Sequence, residues 1–139
     1  MMAFYDPKIK EIFWGFHLKA QLYCFNGGHI DPEDQNPAVT AQREIFEELG
    51  IKYSPAQIPT PELVTVQQIT NKNYPCRLHY DIFFFFAVDK NNFFYDEKKL
   101  ATEYDRWGWY SLAAAKKMCT SNNNLQALEL IEEKIKNQF

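Results

Sequence analysis

The stretch Gly27–Ile51, GGHIDPEDQNPAVTAQREIFEELGI, decides how this chain folds. Near its end stand Glu44, Glu47 and Glu48, whose spacing of three and four residues places them on one stripe of a predicted helix. Like charges at this spacing repel each other, so the cluster is easier to explain if a cation binds against it. Carboxylate oxygens on a short stripe suit Mg²⁺ or Mn²⁺, which keep positions for water and phosphate.

The same stretch specifies both ends of the helix. Asn36 is a good N-cap, Pro37 fits the first helical position, and Gly50 follows where a left-handed residue is preferred. An apolar face is expected opposite the carboxylates, so that the acidic side points into a cleft or into solvent. The residues predicted for this apolar face are Ala38, Gln42, Ile45, Phe46 and Leu49. Taken alone, the pattern also fits a solvated acidic face, with Arg43 paired to Glu47 one turn later.

Arg43–Ile51, REIFEELGI, resembles the second half of the sequence box of the Nudix hydrolase family, Arg-Glu-apolar-x-Glu-Glu-x-Gly-apolar. The match is complete and lies on a helix with suitable caps, which makes it a specific signal. Gly27 and Gly28 are similar to the pair of glycines that opens the family's loop–helix–loop. A weaker resemblance covers most of the chain, from Lys10 onward.

The first half of the box, which in the family reads Gly, five residues, Glu, seven residues, departs from the pattern. Counting forward from Gly28 puts Asp34 at the position of the Glu, whereas counting back from Arg43 puts Gln35 there. The loop is therefore one residue longer than the pattern. By resemblance, Gly28 and Arg43 shape this loop, and Asp34 can reach the guanidinium with its shorter arm. Asn26 stands where a proline often precedes the two glycines.

The resemblance also implies a metal site and a set of catalytic residues. All three glutamates of the helix would bind the cation, Mg²⁺ or Mn²⁺, and Glu44 and Glu47 would also take part in catalysis. Family members often take a further carboxylate from outside the box. Glu103 is the candidate for this role, ahead of Asp105 and Glu97, because all three precede a predicted strand. The simpler explanation is that each of these three residues is an exposed carboxylate in a loop.

Three other positions carry weaker signals. Lys19 either meets a terminal phosphate or is an exposed lysine in a turn. His29 lies near an acidic residue, and the segment Cys76-Arg-Leu-His79 is similar to half of a zinc site. Because no second CxxC or HxxxH half follows, a structural zinc site is not expected.

Composition limits the class of protein. The 139 residues carry a formal charge of −3, with 46% hydrophobic and 24% charged residues, as in an ordinary globular domain. Without a basic excess, long nucleic acid is not an expected partner, and without a long apolar run, neither is a membrane. The first residues lack a basic region followed by an apolar segment, so secretion is not expected. The three cysteines are odd in number and widely separated. These features predict reduced thiols and a cytoplasmic location.

Short apolar and alternating segments mixed with few helices predict an α+β fold, in which a mixed sheet packs between helices around the loop–helix–loop metal site. The apolar run Ile82–Val88 predicts a central strand that is covered on both faces. One domain is expected over residues 1–139, with a first strand that is short or missing because only Phe4 and Tyr5 remain to form it. Such an open edge would allow a homodimer. The predicted strands are 12–17, 22–25, 63–70, 77–88 and 107–110, and the later helices are 112–118 and 125–136.

Together, these features predict a Nudix-type pyrophosphohydrolase that cleaves the diphosphate linkage of a small nucleoside diphosphate derivative. The sequence does not identify the derivative. One alternative is a catalytically inactive Nudix-fold module that binds a nucleotide and has a regulatory role, which would explain the irregular loop. Another is an interaction domain that uses its C-terminal helix and its aromatic residues, 17% of the chain. Metal-dependent activity would separate the enzyme from both alternatives.

Overall fold

The computed structural model describes residues 1–138, which form a mixed sheet between two layers of helices. The strands are β1 Met2–Asp6, β2 Glu11–His17, β3 Leu22–Cys24, β4 Leu63–Gln68, β5 Leu78–Ala87 and β6 Tyr104–Ser111. The helices are α1 Pro37–Leu49, α2 Glu97–Leu100, α3 Leu112–Met118 and α4 Asn122–Gln138. Short 3₁₀ turns lie at Pro55–Gln57 and Lys90–Asn92. This arrangement confirms the predicted fold class.

Strands β1 and β5 run parallel at the centre of the sheet, and the other neighbouring strands are antiparallel. The order is β3-β2-β1-β5-β4, in which β1 pairs with the first part of β2 and β3 with its last part. β6 pairs with the opposite edge of β2 along most of its length. On β5, Phe83 and Phe85 enter the core that α3 and α4 cover, whereas Phe84 and Phe86 enter the core that α1 and α2 cover. The prediction of a central strand covered on both faces is therefore confirmed.

The first strand is neither missing nor open to solvent, which corrects the expectation from sequence. β1 consists of Met2–Asp6, and all of its residues are buried. It lies between β2 and β5, so both of its edges are paired within this chain. A strand buried on both faces shows no alternation of polar and apolar residues, and this one is too short to be recognised by other means. The open edge that suggested a homodimer is closed.

Helix α4 begins at Asn122, earlier than predicted. Asn123 and Asn124 are buried in its first turn, where their Nδ2 groups donate to Asp81 and to the hydroxyl of Ser121, each at 2.7 Å. The hydrogen bond to Asp81 is a tertiary contact and the one to Ser121 is local, and both compensate for the weak helix propensity of asparagine. Within residues 1–138, no helix has both the length and the apolar character that crossing a membrane requires.

Candidate active site

Helix α1 begins and ends where the sequence predicts. The side chain of Asn36 accepts a hydrogen bond of 3.1 Å from the backbone N–H of Val39, and Pro37 is the first helical residue. At the other end, Gly50 adopts a left-handed conformation with a φ of 69°, and its N–H donates to the carbonyl of Phe46 at 2.9 Å. These caps fix the extent of the helix that carries the three glutamates.

The predicted separation of an apolar face from an acidic face is wrong. Glu44 and Glu48 lie on the buried side of α1, with only 9% and 2% of their surface exposed. Phe46, expected in the core, is 40% exposed. The apolar residues of α1 that do enter the core are Ala41, Ile45 and Leu49. Because the loop after β3 covers Glu44 and Glu48, these carboxylates line a cleft and do not form a solvated helix face.

Glu48 is the most deeply buried of the three glutamates. Its Oε2 accepts a hydrogen bond of 2.7 Å from Nδ2 of Asn26, and the backbone N–H of Gly27 also donates to this carboxylate. Its Oε1 is buried and has no hydrogen-bond partner among the described residues. Burial raises the pKa of Glu48 well above its ordinary value, and the two donors offset this only in part. A buried carboxylate with an unpaired oxygen is unfavourable unless a cation binds it.

Glu44 packs directly against the backbone of Gly28. A Cβ atom at Gly28 would lie 2.1 Å from Oε1 and 2.4 Å from Cδ of Glu44, so the close approach requires a glycine. Oε1 of Glu44 also accepts a hydrogen bond of 2.8 Å from Nη1 of Arg43. Burial raises the pKa of Glu44, and the guanidinium acts in the opposite direction. The loop and the neighbouring arginine thus fix the position of this carboxylate.

Arg43 joins the loop to the helix through all three nitrogens of its guanidinium. Nη2 donates to Oδ2 of Asp34 at 2.8 Å and to the carbonyl of His29 at 3.0 Å, and Nε donates to Oδ1 of Asp34 at 3.3 Å. Nη1 also donates to Oε2 of Glu47 at 3.3 Å. Asp34, and not Gln35, therefore makes the contact expected of the missing Glu. The guanidinium holds the pKa of Asp34 well below its usual range.

Two carboxylates near this cleft are open to solvent. The side chain of Glu47 is 56% exposed, and that of Glu103, just before β6, is 49% exposed. Glu103 lies close enough to Glu44 and Glu48 to raise the pKa of both. Its Oε2 also lies 3.7 Å from Nε2 of His17. The structure thus brings one carboxylate from outside the box to the glutamates of α1.

The other candidates from outside the box make different contacts. Asp105 pairs with Arg106 at 3.1 Å, and Glu97 lies in the first turn of α2. Lys19 lies in the exposed turn between β2 and β3, where its Nζ is 4.8 Å from the ring centre of Tyr74. The ammonium group therefore lies against the connection between β4 and β5.

One residue of the cleft was not identified from the sequence. In the sequence, Asn26 stands out only as a departure from the family pattern. In the structure, its buried amide binds Glu48. A polar side chain directly before two glycines, where the family often has a proline, is the one feature of the sequence that points to it. Only the three-dimensional structure shows that the loop turns this amide toward α1.

The donor chemistry of these residues suits a divalent cation, but the side chains as they stand do not gather three of their oxygens around one point. Glu44, Glu47 and Glu48 offer oxygen ligands, with Glu103 nearby. Arg43 pairs with Glu44 and Glu47, and the buried N-terminal ammonium of Met1 lies close enough to interact with Glu44 and Glu48. The buried Oε1 of Glu48 lacks the partner that a cation would provide. Oxygen ligands of this kind suit Mg²⁺ and Mn²⁺.

The family model for the NUDIX domain matches residues 9–130, which is most of the chain. The chain therefore belongs to the Nudix family, and this membership confirms the prediction of a Nudix-type hydrolase. A sequence comparison with curated proteins finds no match.

Solved structures share the fold at low sequence identity. The E. coli dihydroneopterin triphosphate pyrophosphohydrolase is 17% identical, with a TM-score of 0.75 over 94% of this chain and 90% of the other. A C. elegans Ap4A hydrolase in a binary complex is 17% identical, with a TM-score of 0.70 over 99% and 94%. The NUDIX domain of Shewanella oneidensis NrtR, complexed with ADP ribose, is 16% identical, with a TM-score of 0.63 over 96% and 83%.

Proposed function

We propose that this protein is a metal-dependent hydrolase that cleaves the diphosphate linkage of a nucleoside diphosphate derivative. Glu44, Glu47 and Glu48 would hold the cation, which we take to be Mg²⁺ or Mn²⁺. Glu103 is the proposed carboxylate from outside the box. The observation that carries this proposal is the unpaired, buried Oε1 of Glu48 beside a second buried carboxylate, Glu44. A protein that did not bind a cation here would gain nothing from burying these charges.

The chemistry requires charge neutralisation and a proton acceptor. Water attacks phosphorus, a new P–O bond forms, and the bridging P–O bond of the anhydride breaks to give two phosphate products. A cation bound by the glutamates supplies positive charge for the phosphate oxygens and activates water. The proton released by the attacking water passes to a carboxylate, for which the exposed side chains of Glu47 and Glu103 are suited.

Arg43 and Gly28 serve this site without contacting the substrate. Arg43 binds the loop at Asp34 and at the carbonyl of His29, so it sets the position of the loop relative to α1. Gly28 allows the loop to approach Glu44. Lys19, in an exposed turn, is the proposed contact for a terminal phosphate. Errors of about 1 Å in such positions reduce the rate of an enzyme by roughly a hundredfold.

The structural relatives suggest which substrates to test first. They are a dihydroneopterin triphosphate pyrophosphohydrolase, an Ap4A hydrolase and a domain complexed with ADP ribose, and all three compounds contain linked phosphates. These three compounds, nucleoside triphosphates and nucleotide sugars form the panel. Purified wild-type protein is incubated with each compound in Mg²⁺, in Mn²⁺ or in EDTA, and the products are separated by chromatography.

Glu47→Gln is the decisive variant because the side chain is exposed and its loss leaves the core unchanged. We expect metal-dependent turnover by the wild type and a reduction of at least a hundredfold in Glu47→Gln. Glu133→Gln, an exposed carboxylate on α4, is the matched control and should retain full activity. Nucleotide binding without turnover by the wild type, across the whole panel, would reject the enzyme in favour of a binding module with a regulatory role.

A further inference from the structure

A second cluster of metal-binding side chains lies outside the glutamate site. His29 belongs to the loop after β3, Cys76 to the connection between β4 and β5, and His79 to β5 itself. Each residue offers one ligand atom, and these three atoms lie within 4.8 Å of one another. Sγ of Cys76 is 2.7 Å from Nε2 of His79 and 3.9 Å from Nε2 of His29.

These separations are close to those that a tetrahedral zinc ion imposes. Zinc lies about 2.3 Å from sulfur and about 2.0–2.1 Å from nitrogen, which places tetrahedral sulfur and nitrogen ligands about 3.5 Å apart. One observed separation is shorter than this value and the other is longer. Small side-chain rotations of Cys76 and His79 would make both equal, since the two residues are only partly buried.

We propose that His29, Cys76 and His79 bind a single Zn²⁺ ion. A thiolate and two imidazoles are soft or borderline ligands, which zinc accepts readily and which Mg²⁺ and Mn²⁺ disfavour. The same chain therefore carries two sites of different chemistry, one with oxygen ligands and one with sulfur and nitrogen ligands. Cys76 releases its proton when it binds the metal.

The surroundings of the cluster support a bound cation. Burial lowers the pKa of His79, and the nearby carboxylate of Asp81 acts in the opposite direction, so Asp81 adds negative charge near the site. The ring of Tyr74 lies 5.5 Å from that of His79 and 6.3 Å from that of His29, and it covers one side of the cluster. With three protein ligands, one position remains for water or for an oxygen of another molecule.

Zinc at this position would join two parts of the chain that are distant in sequence. His29 lies next to Gly28, and its carbonyl accepts the hydrogen bond from Arg43. Cys76 and His79 lie at the base of the β4–β5 connection. The ion would therefore fix the catalytic loop to this connection, and its binding would order both.

The sequence alone does not lead one to expect a zinc site, because no second half-motif follows Cys76 and His79. The structure supplies the third ligand from the loop before α1, far earlier in the chain. No local spacing connects His29 with Cys76, so this set could be found only once β3, β5 and the loop were placed in space.

Cobalt provides a direct test because its complexes with thiolates absorb in the near ultraviolet. Reduced protein, freed of metal with a chelator, is titrated with Co²⁺ and then with Zn²⁺. We expect a thiolate-to-cobalt absorption band that reaches its full height at one Co²⁺ per chain. Added Zn²⁺ should abolish this band. The band should be lost in Cys76→Ser and weakened at least tenfold in apparent affinity in His29→Gln and His79→Gln. The glutamate site contains no sulfur, so it cannot produce this band.

Cys119→Ser is the matched control, since Cys119 is a partly buried thiol at the end of α3. It should leave the band unchanged. Absence of the band in the wild type, or its persistence in Cys76→Ser, would reject the zinc site. X-ray absorption of the zinc-loaded wild type requires no variant and should show one sulfur at about 2.3 Å with nitrogen neighbours at about 2.0 Å. A shell of oxygen alone would equally reject it. The activity of Glu47→Gln does not enter either measurement, so this inference and the proposed hydrolase can fail independently.

Discussion

Asn26 donates a hydrogen bond of 2.7 Å to Oε2 of Glu48, while Oε1 of the same carboxylate has no partner among the described residues. The amide thus fixes one oxygen of the carboxylate and leaves the other available to a cation. The carbonyl of Asn26 in turn accepts a hydrogen bond of 2.7 Å from the backbone of Met2, which ties the residue to β1. A proline at this position, as the family often has, could not donate to Glu48. Here the departure from the family pattern contributes to the site.

Asn26→Ala should weaken catalysis most strongly at low pH. The amide stabilises the ionised form of Glu48, so its loss raises the pKa of Glu48 further and leaves less of the metal-binding form. A hydrogen bond to a charged group contributes about 1.5–3 kcal/mol, which corresponds to a roughly 10- to 100-fold lower kcat/KM at neutral pH. The check is the pH dependence of kcat/KM at one fixed Mg²⁺ concentration that does not saturate the site.

The acid limb of that profile should move to higher pH, and the deficit of Asn26→Ala should shrink as the pH rises. Asn92→Ala, an exposed asparagine in the turn after β5, is the matched control and should reproduce the wild-type profile. A deficit that is equal at every pH would show that Asn26 does not act through the ionisation of Glu48.

Glu48→Gln should abolish activity and yet stabilise the metal-free protein at neutral pH. Burial raises the pKa of Glu48 above its value in the unfolded chain, which is about 4.3. Between these two pKa values the folded state binds more protons than the unfolded state. The free energy of unfolding therefore falls as the pH rises through this window, and glutamine removes that penalty. We expect a melting midpoint in EDTA that is roughly 2–6 °C higher at pH 7.5, for about 1 kcal/mol of relief.

Two comparisons make this stability test specific. The advantage of Glu48→Gln should disappear near pH 4, where the wild-type carboxyl is protonated in both states. Saturating Mg²⁺ should reverse the order at neutral pH, because only the wild type retains the full site and ligand binding stabilises the folded state. The exposed Glu47 supplies the control, since Glu47→Gln should melt in EDTA close to the wild type. An unchanged midpoint for Glu48→Gln at neutral pH would contradict the unfavourable burial of its charge.

The caps of α1 and the covered strand at Ile82–Val88 could be predicted because local chemistry specifies them. The caps are local, since each of Asn36, Pro37 and Gly50 acts within one turn of a helix end. A continuous run of apolar residues is typical of a strand that is covered on both faces. The strand β1 could not be predicted in the same way, since its burial comes from its neighbours in space.

The site shows the same division between local and distant causes. The spacing of Glu44, Glu47 and Glu48 predicts that they share a region of the helix, and the structure places them there. The burial of Glu44 and Glu48 could not be predicted, because periodicity assigns charged residues to the exposed side and a bound cation is what makes the reverse favourable. The contacts of Asn26 and His29 depend on the path of the loop, which no pattern of residue types encodes.

Gly28→Ala should impair the metal site with little loss of stability. The new Cβ would overlap the carboxylate of Glu44, which is the flexible end of a side chain and can move away. The fold is therefore retained, but the displaced Glu44 binds the cation less well, and we expect a decrease of at least tenfold in Mg²⁺ affinity and in kcat. Calorimetric titration and steady-state kinetics measure the two effects.

Gly108→Ala is the matched control, since a Cβ there would come no closer than 4.0 Å to Tyr110. It should leave Mg²⁺ affinity and kcat at the wild-type level. Wild-type metal affinity in Gly28→Ala would show that Glu44 does not need its observed position to bind the cation.

Asp34→Asn should loosen the loop that carries Gly28, in a way that depends on pH. Asp34 accepts hydrogen bonds from Arg43, from the hydroxyl of Thr40 and from the backbone of Asp31, and the guanidinium lowers its pKa. The unfolded state therefore binds the proton of Asp34 more readily than the folded state does. The stability that the ionised carboxylate contributes is complete above about pH 4 and is lost in stronger acid. The amide that replaces the carboxylate would also present an N–H donor to the guanidinium if it took the wrong orientation. We expect kcat/KM to fall by roughly 10- to 100-fold at pH 7, because the loop positions Glu44 through Gly28 and Arg43.

The stability of Asp34→Asn, measured by denaturant unfolding, should lie below that of the wild type at pH 7 and converge with it in acid. Asp34→Glu provides the informative comparison, since it restores the family's residue in a loop that is one residue longer. The longer arm keeps the charge but must bend to reach Nε and Nη2 of Arg43, so its activity should lie between those of the wild type and Asp34→Asn. If Asp34→Asn instead matches the wild type in kcat/KM, the ion pair with Arg43 holds the loop without positioning the glutamates.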